Sequence, residues 1–287
     1  TAADFTGTVL SSFTPNVAQS TLSITGFMGL TTYYFRVATL NWPGALNYVS
    51  AGSTATTRGL PPGCDRGYDV GKVGWTYGTI QAAVAAVPSS LAEETCIVVR
   101  DTETYSEQVT VQRIATNGRI LAIWTDPTFG GSMAVVNPPQ GSTAAFHILN
   151  ASVSLHGLAV VTTNTVAYGI LASSAYLTAD GIRVDSGGSI WSAGISASSG
   201  AVVSYSSGTV QDADGIYVEG SNASILFSTA ASQSETRNAI KLDGATYATI
   251  SDSYMYNTGT AVQMLSGAYG NLVLRSTAVS SQADYQG

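Results

Sequence analysis

The second half of the chain repeats one short phrase, in which a small residue is followed by isoleucine or valine. The apolar anchors of successive copies are separated by 25, 21, 24 and 22 residues. This spacing is typical of the stacked coils of a solenoid and too short for self-contained domains. The repeat therefore predicts a fold in which each coil is stabilised by its neighbours. The anchors are Ile170, Ile195, Ile216, Ile240 and Val262, within AYGILA, SAGISA, ADGIYV, RNAIKL and GTAVQM.

Two further sets of apolar residues accompany the anchors, and Gly, Ser, Asn and Asp separate the sets. Three short strands per coil predict three parallel sheets wound into a prism, with inward residues stacked in apolar ladders. The second set contains Val153, Leu155, Leu177, Val203, Ile225, Phe227, Ile250, Leu272 and Leu274, and the third contains Leu158, Val160, Ile182, Val184, Val210, Met255 and Val279.

The composition excludes several classes of partner. The 287 residues carry a net charge of -7, and Lys72 and Lys241 are the only lysines. Nucleic acid and anionic membranes are unfavourable partners, because both attract basic surfaces. No apolar stretch approaches the roughly 20 residues that span a bilayer. Abundant Ser, Thr, Ala and Gly with little lysine are typical of secreted bacterial surface proteins, and we expect an extracellular or cell-surface location.

The chain has two cysteines, Cys64 and Cys96, which flank its clearest helix candidate. In an oxidising compartment they could form a disulfide that stabilises the fold by on the order of 3–4 kcal/mol. The alternative is two buried free thiols. A structural zinc site is not expected, because the chain has no CxxC motif and no Cys/His cluster.

Residues 1–57 alternate apolar and polar side chains as strands do. The segments LSITGF, TTYYFRVATLN and TATT resemble the second half of a fibronectin type III domain, in which Tyr33 or Tyr34 would pack across the sandwich. Such a sandwich needs about seven strands, and this segment supplies about four. We therefore expect a partial sandwich, whose missing strands would come from an upstream segment or from another chain by strand addition.

The remaining chain divides into a linker and a larger domain. Residues 58–74 contain two prolines and five glycines and are predicted to be a linker. Residues 75–287 are predicted to form the solenoid, beginning with an amphipathic helix within 75–88 that Thr79 can cap and Pro88 ends. The closing ADYQG, at 283–287, has the form of a phrase that precedes an anchor, so we expect a truncated last coil.

The start of this domain also resembles a known family. TIQAAVAAVP followed by CIVVRDTETYSEQVTV is similar to the entry segment of the right-handed parallel β-helix family that includes pectin methylesterases and pectate lyases. Tyr105, Glu107 and Val109 match its Tyr-x-Glu-x-Val phrase. The resemblance implies an all-β protein, with a helix covering the open first coil of a right-handed parallel β-helix.

Polysaccharide lyases of this fold use calcium held by carboxylates and an Arg or Lys base. Asp212, Asp214, Arg237 and Lys241 are the catalytic candidates, although acidic residues beside Gly or Ser are ordinarily turn formers. The Gln-Asp pair at 211–212 is similar to one in pectin methylesterases, but the accompanying Arg-x-Trp is absent. No cofactor and no metal is expected, and calcium stays open as an alternative.

Tyrosines recur through the coils, and Tyr205, Tyr217 and Tyr254 are candidates for ligand binding. Exposed aromatic rings can stack on sugars or anchor a protein partner. The alternative is that these tyrosines are ordinary strand residues or part of the interior ladders.

These observations favour a non-catalytic structural or adhesive protein that associates with itself or with neighbouring domains, and that could also contact polysaccharide. The alternative is a carbohydrate-active enzyme, a lyase or an esterase, acting on acidic polysaccharide. The two hypotheses differ in one arrangement. An enzyme of this kind requires Asp212 and Asp214 to converge with Arg237 or Lys241 within hydrogen-bonding distance.

Overall fold

The computed structural model describes residues 32–40, 46–56, 59–126, 132–186, 189–265 and 267–281. The chain divides into two compact units, Thr1–Leu60 and Pro61–Gly287. No helix in these described ranges is long and apolar enough to cross a membrane.

The first unit contains an antiparallel pair of strands, β1 (Thr32–Leu40) and β2 (Leu46–Thr56), with an irregularity between Tyr34 and Arg36. The Arg36 guanidinium lies 4.2 Å from the centroid of the Tyr48 ring. Residues 1–31, which include the LSITGF segment, lie outside the described residues. The fibronectin-like half-sandwich therefore stays a prediction.

The second unit is a parallel β-helix, which confirms the predicted fold class. Its described strands form three parallel sheets. Sheet 1 contains β3 (Arg66–Val70), β4 (Thr95–Val99), β7 (Leu121–Thr125), β10 (Ser152–His156), β13 (Tyr176–Asp180), β16 (Val202–Ser204), β19 (Ser224–Leu226), β22 (Thr249–Ser251) and β25 (Leu272–Leu274). Sheet 2 contains β5 (Thr104–Tyr105), β8 (Ala134–Val136), β11 (Leu158–Val161), β14 (Arg183–Asp185), β17 (Ser207–Val210), β20 (Thr229–Ser232), β23 (Tyr254–Asn257) and β26 (Thr277–Ser280). Sheet 3 contains β6 (Val109–Gln112), β9 (Ala144–Leu149), β12 (Val166–Ser173), β15 (Ile190–Ala197), β18 (Asp214–Glu219), β21 (Asn238–Asp243) and β24 (Thr260–Met264).

The repeated phrase of the sequence forms the core of sheet 3. Its anchors pair in register from coil to coil, and all but the last are fully buried. The same ladder continues toward the N-terminus through Phe146 and Val109, which the repeat did not reveal. Burial of such large side chains contributes about 1.5–3 kcal/mol each, so this ladder is a main source of stability.

The residue before each anchor must be small for a steric reason. A Cβ added to Gly215 would lie 2.6 Å from the Ala239 carbonyl oxygen and 3.0 Å from the Gly208 carbonyl oxygen. Gly169 and Gly194 likewise face the carbonyl oxygen of the next coil, at 2.5 and 2.8 Å. The glycines lie where sheets 2 and 3 meet inside the prism, and only small residues fit there.

Replacing Gly215 with alanine is expected to lower the free energy of unfolding by about 1–3 kcal/mol, because the methyl group meets backbone atoms that cannot rotate away. Urea denaturation would measure the loss. Gly78→Ala is the control, because no atom lies within 4 Å of a Cβ added there. It should change the stability by less than about 0.5 kcal/mol. Equal effects of the two substitutions would contradict this account of the phrase.

A short helix, α1 (Ile80–Ala86), caps the first coil, as the sequence predicted. The Thr79 hydroxyl accepts a hydrogen bond from the Ala82 amide, and Ile80, Ala83 and Val84 are buried. The Glu107 carboxylate accepts hydrogen bonds from the Ile80 and Gln81 amides, at 2.8 and 2.9 Å. Glu107 therefore satisfies donors that a helix leaves free at its first turn. This role explains the glutamate of the Tyr-x-Glu-x-Val phrase.

Two parts of the predicted organisation differ from the structure. The segment predicted as a linker, 58–74, contains β3, which is the edge strand of sheet 1. Its inward residues are only Tyr68 and Val70, and this single apolar pair among glycines gave no strand signal. Phe227, predicted to point inward, has a φ of 49° in a tight turn and is half exposed. Leu272, Leu274 and Val279, also predicted to point inward, are exposed on β25 and β26, on which no further described strand packs.

The first three strands of sheet 1 are joined by a buried ionic network. The Arg100 side chain is 2% exposed and donates hydrogen bonds to Asp69 at 2.7 Å and Asp126 at 2.8 Å. Cys64 and Cys96 form a disulfide on the outer face of the same sheet, with their Cα atoms 5.7 Å apart. Both features fasten the N-terminal coils, where α1 packs.

Candidate functional site

The predicted catalytic residues lie on or beside two neighbouring strands of sheet 3. Asp214 begins β18, and Asp212 is exposed in the turn that precedes it. Lys241 is on β21, and Arg237 directly precedes that strand. The repeat thus brings all four residues to the same part of the solenoid. The contacts of each side chain show whether the four residues form a catalytic arrangement.

Asp214 has a structural contact. Its Oδ1 atom accepts hydrogen bonds from the backbone amide and the side-chain amide of Asn238, at 2.8 and 2.9 Å. The Asn238 side chain also donates to Gln263 Oε1 at 3.2 Å, so a row of polar side chains crosses three coils. Asp214 and Asn238 are both buried, so this row of hydrogen bonds joins successive coils and has a structural role.

The two basic candidates point to other partners. An Arg237 guanidinium nitrogen donates to the Trp191 carbonyl oxygen at 3.2 Å. The Lys241 ammonium group lies 5.3 Å from the centroid of the Tyr217 ring. Within the described residues, no ion pair or hydrogen bond joins Arg237 or Lys241 to Asp212 or Asp214. The arrangement that a lyase requires is therefore not formed by these four side chains.

Tyr217 is the centre of the cluster that does form, which we call the Tyr217 cluster: Tyr217, Glu219, Lys241 and Asp243. Tyr217 pairs in register with Lys241, and Glu219 pairs with Asp243. The Tyr217 hydroxyl donates to Asp243 Oδ2 at 3.4 Å. Burial, together with the negative charges of Glu219 and Asp243, raises the pKa of Tyr217 to about 12. The phenol therefore stays protonated at neutral pH and acts as a hydrogen-bond donor.

The raised pKa of Tyr217 predicts a specific dependence of stability on pH. Its ordinary value is 10.0, so between pH 10 and 12 the phenol ionises in the unfolded chain but not in the folded one. Its stabilising contribution is complete below pH 10 and is lost as the pH rises through this window. Tyr217→Phe should lose less stability than the wild type across the window, as measured by urea denaturation. Tyr176→Phe, at an exposed tyrosine, is the control and should follow the wild type.

The other two ligand-binding candidates lie on different faces. Tyr205 is 67% exposed at the turn between sheets 1 and 2, where it stacks on Phe227 with ring centroids 5.1 Å apart. Tyr254 begins β23 on sheet 2 and is 44% exposed. The three tyrosines therefore do not form one site, and in the described part of the chain Tyr217 is the one of the three whose hydroxyl donates to a carboxylate.

Sequence reasoning missed a row of side chains on the outer face of sheet 1. Trp124, His156, Asp180 and Ser204 occupy one register position on four successive coils. The His156 ring stacks on Trp124 at 3.9 Å, and its Nδ1 atom lies 3.5 Å from Asp180 Oδ2. Burial lowers the pKa of His156, and Asp180 opposes this effect. Only the strand register could have revealed this row.

This row does not form a nucleophilic triad. Ser204 donates its hydroxyl hydrogen bond to Asp180 Oδ1 at 2.8 Å. In a triad the serine donates to histidine, which then removes its proton. Here Asp180 lies between the two, so the histidine has no contact with the hydroxyl. No group of three or more His, Cys, Asp or Glu side chains in the described part of the chain is placed to hold a metal.

The fold defines the class of this unit as a parallel β-helix. No protein-family model matches the chain, and no curated protein does. Two solved structures of the pectin methylesterase from Aspergillus niger are similar to it. The deglycosylated form is 15% identical, with a TM-score of 0.44, and the form with an N-acetylglucosamine stub is 14% identical, with a TM-score of 0.42. Each alignment covers 79% of this chain and 88% of the other.

Proposed function

We propose that this chain is a non-catalytic extracellular module that binds carbohydrate along the outer face of sheet 3. The disulfide supports passage through an oxidising compartment, where such bonds persist. The Tyr217 cluster supports the choice of face, because it combines an aromatic ring with hydrogen-bonding groups on adjacent strands.

The single observation that carries the proposal is the register of this face. Tyr217 is in line with Lys241, and Lys241 is in line with Gln263, on three successive strands. Neighbouring strands are about 4.8 Å apart, and a sugar unit in an extended polysaccharide advances by a similar distance. A polysaccharide running along the solenoid would therefore place successive hydroxyl groups over successive side chains.

The contacts around Tyr217 also support a non-catalytic role. General acid and base catalysis needs groups that can exchange protons near neutral pH. The pKa of Tyr217 is displaced away from that range, Asp214 is held by Asn238, and Arg237 is turned to a backbone carbonyl. These side chains are therefore suited to hydrogen bonding with a ligand and not to proton transfer.

Three tyrosine variants test the proposal, because each removes an aromatic ring from a different face. Tyr217→Ala should weaken binding to the polysaccharide that the wild type binds by at least about tenfold. Tyr205→Ala and Tyr254→Ala should leave binding unchanged. Affinity electrophoresis in gels containing mannan, galactan, β-glucan, polygalacturonate or alginate would measure these effects. A wild-type chain that none of these polymers retards would contradict the proposal, as would equal losses from all three variants.

A carbohydrate-active enzyme is the second candidate, and one observation favours it. Glu219 and Asp243 are carboxylates in register on adjacent strands, and paired carboxylates are the usual machinery of glycoside hydrolysis. Release of reducing ends from the same polymers, or of methanol from methyl-esterified polygalacturonate, would test it. Activity that Asp243→Asn abolishes, in a variant that still binds polysaccharide, would establish the enzyme and overturn the non-catalytic proposal.

Self-association, the other partner predicted from the sequence, stays a prediction. Sedimentation equilibrium at increasing protein concentration would test it. A constant monomer mass at all concentrations would contradict it.

A further inference from the structure

The charge of the proposed binding face limits the kind of polysaccharide that it can accept. Residues 211–243 contain five acidic residues and only two basic ones. The charged residues among them lie on β18 and β21 or in the turns that lead into these two strands, and every acidic one except Asp214 is at least partly exposed. The acidic residues are Asp212, Asp214, Glu219, Glu235 and Asp243.

The two basic residues do not compensate for this charge. Arg237 is directed to the Trp191 carbonyl, and Lys241 lies over the Tyr217 ring. Recognition of a carboxylate ligand ordinarily uses a guanidinium that donates two parallel hydrogen bonds. Neither residue is placed in that way. A polymer of uronic acids would also bring one negative charge with every sugar unit.

We infer that the ligand of this face is a neutral polysaccharide. The inference rests on the proposed function and names the substrate class of the same face. Neutral sugars offer hydroxyl groups, which donate to the exposed Glu219 carboxylate and to Asp243, while their apolar ring faces can cover Tyr217. Like charges placed opposite each other across an interface are strongly unfavourable, which excludes polyuronates.

The test compares a negatively charged polymer with neutral ones. Polygalacturonate and its carboxyl-reduced, neutral form share one backbone, and mannan, galactan and β-glucan extend the neutral set. We expect Tyr217-dependent binding to at least one neutral polymer, with an affinity that does not change with salt. Binding to polygalacturonate should be at least about tenfold weaker at low salt, and added salt should reduce the difference by screening the repulsion.

A charge variant gives a second measurement. Asp212→Asn keeps the shape of an exposed side chain outside the Tyr217 cluster and removes one negative charge. It should strengthen residual binding to polygalacturonate about fivefold at low salt and leave binding to the neutral polymer unchanged. Asp185→Asn on sheet 2 is the control, because it removes the same charge from another face, and it should have no effect.

The outcomes separate this inference from the proposed function. Tyr217-dependent binding that is tightest for polygalacturonate and weakens with salt would overturn the neutral ligand and leave the binding face in place. Binding to none of the polymers would overturn both. Tyr217-dependent binding to a neutral polymer only would support both.

Discussion

Replacing Arg100 with leucine is expected to lower the free energy of unfolding by about 3–5 kcal/mol. The substitution leaves Asp126, 1% exposed, as a buried carboxylate that has lost its ion pair, and it also removes a hydrogen bond from Asp69. The cost comes mainly from the two ion pairs that are lost, because both carboxylates remain in a region of low dielectric constant, where such contacts are screened little. Urea denaturation of the purified chain would measure the loss.

Arg183→Leu is the matched control for this experiment. Arg183 forms an ion pair with Asp185 at 2.7 Å, the same distance as the Arg100 pair with Asp69, but both side chains are about half exposed. Its loss should cost about 0–1 kcal/mol. A variant Arg100→Leu/Asp126→Leu should regain part of the stability, because it also removes the buried carboxylate that lost its ion pair with Arg100. If Arg100→Leu costs no more than Arg183→Leu, the buried network does not contribute in the way described.

Removing the disulfide with Cys64→Ala and Cys96→Ala is expected to cost about 3–4 kcal/mol. The bond joins residues 32 positions apart, and its loss restores conformational freedom to the unfolded chain. The segment between the two cysteines includes β3 and α1, so the first coil should lose protection from amide hydrogen exchange before the later coils do.

Reduced wild-type protein is the control for the double variant. Cys96 packs with Val98 and Ala122 on the outer face of sheet 1, and alanine at this position also removes part of that contact. Reduction breaks the bond and keeps the sulfur atoms in place. The difference between the reduced wild type and the double variant therefore measures packing alone. A reduced protein as stable as the oxidised one would show that the bond does not constrain the unfolded state.

The fold could be predicted from the sequence because two adjacent positions of each coil accept few residue types. Each anchor must be apolar to fill the prism, and the residue before it must be small to clear a carbonyl oxygen of the next coil. These two requirements recur with every coil and leave a visible pattern. β3 has no such pattern, because its only inward residues are Tyr68 and Val70, among glycines and charged residues.

The candidate site could be predicted only in part. Tyr217 and Lys241 stood out by residue type, but their pairing with each other depends on strand register. Asp243 was one of several acidic residues that the sequence marked as turn formers or calcium ligands, and nothing in it indicated that Asp243 accepts the Tyr217 hydroxyl hydrogen bond. The distance between residues on successive coils varies along the chain, so sequence separation alone does not tell which outward side chains meet. The row from Trp124 to Ser204 was missed for the same reason.

The contact between each glycine and the next coil also bears on how such a chain can lengthen during evolution. Gly169 lies against Gly194, Gly194 against Gly215, and Gly215 against Ala239. The same contact is therefore repeated between successive coils. Duplication of one complete coil in the gene reproduces both halves of this contact. Insertion of a single residue between the glycine and its isoleucine moves one of them out of the interior. Variation in coil length therefore falls outside the glycine and its isoleucine, in the turns or in a bulge such as the one between β12 and β15, where new residues can appear without disturbing the stack.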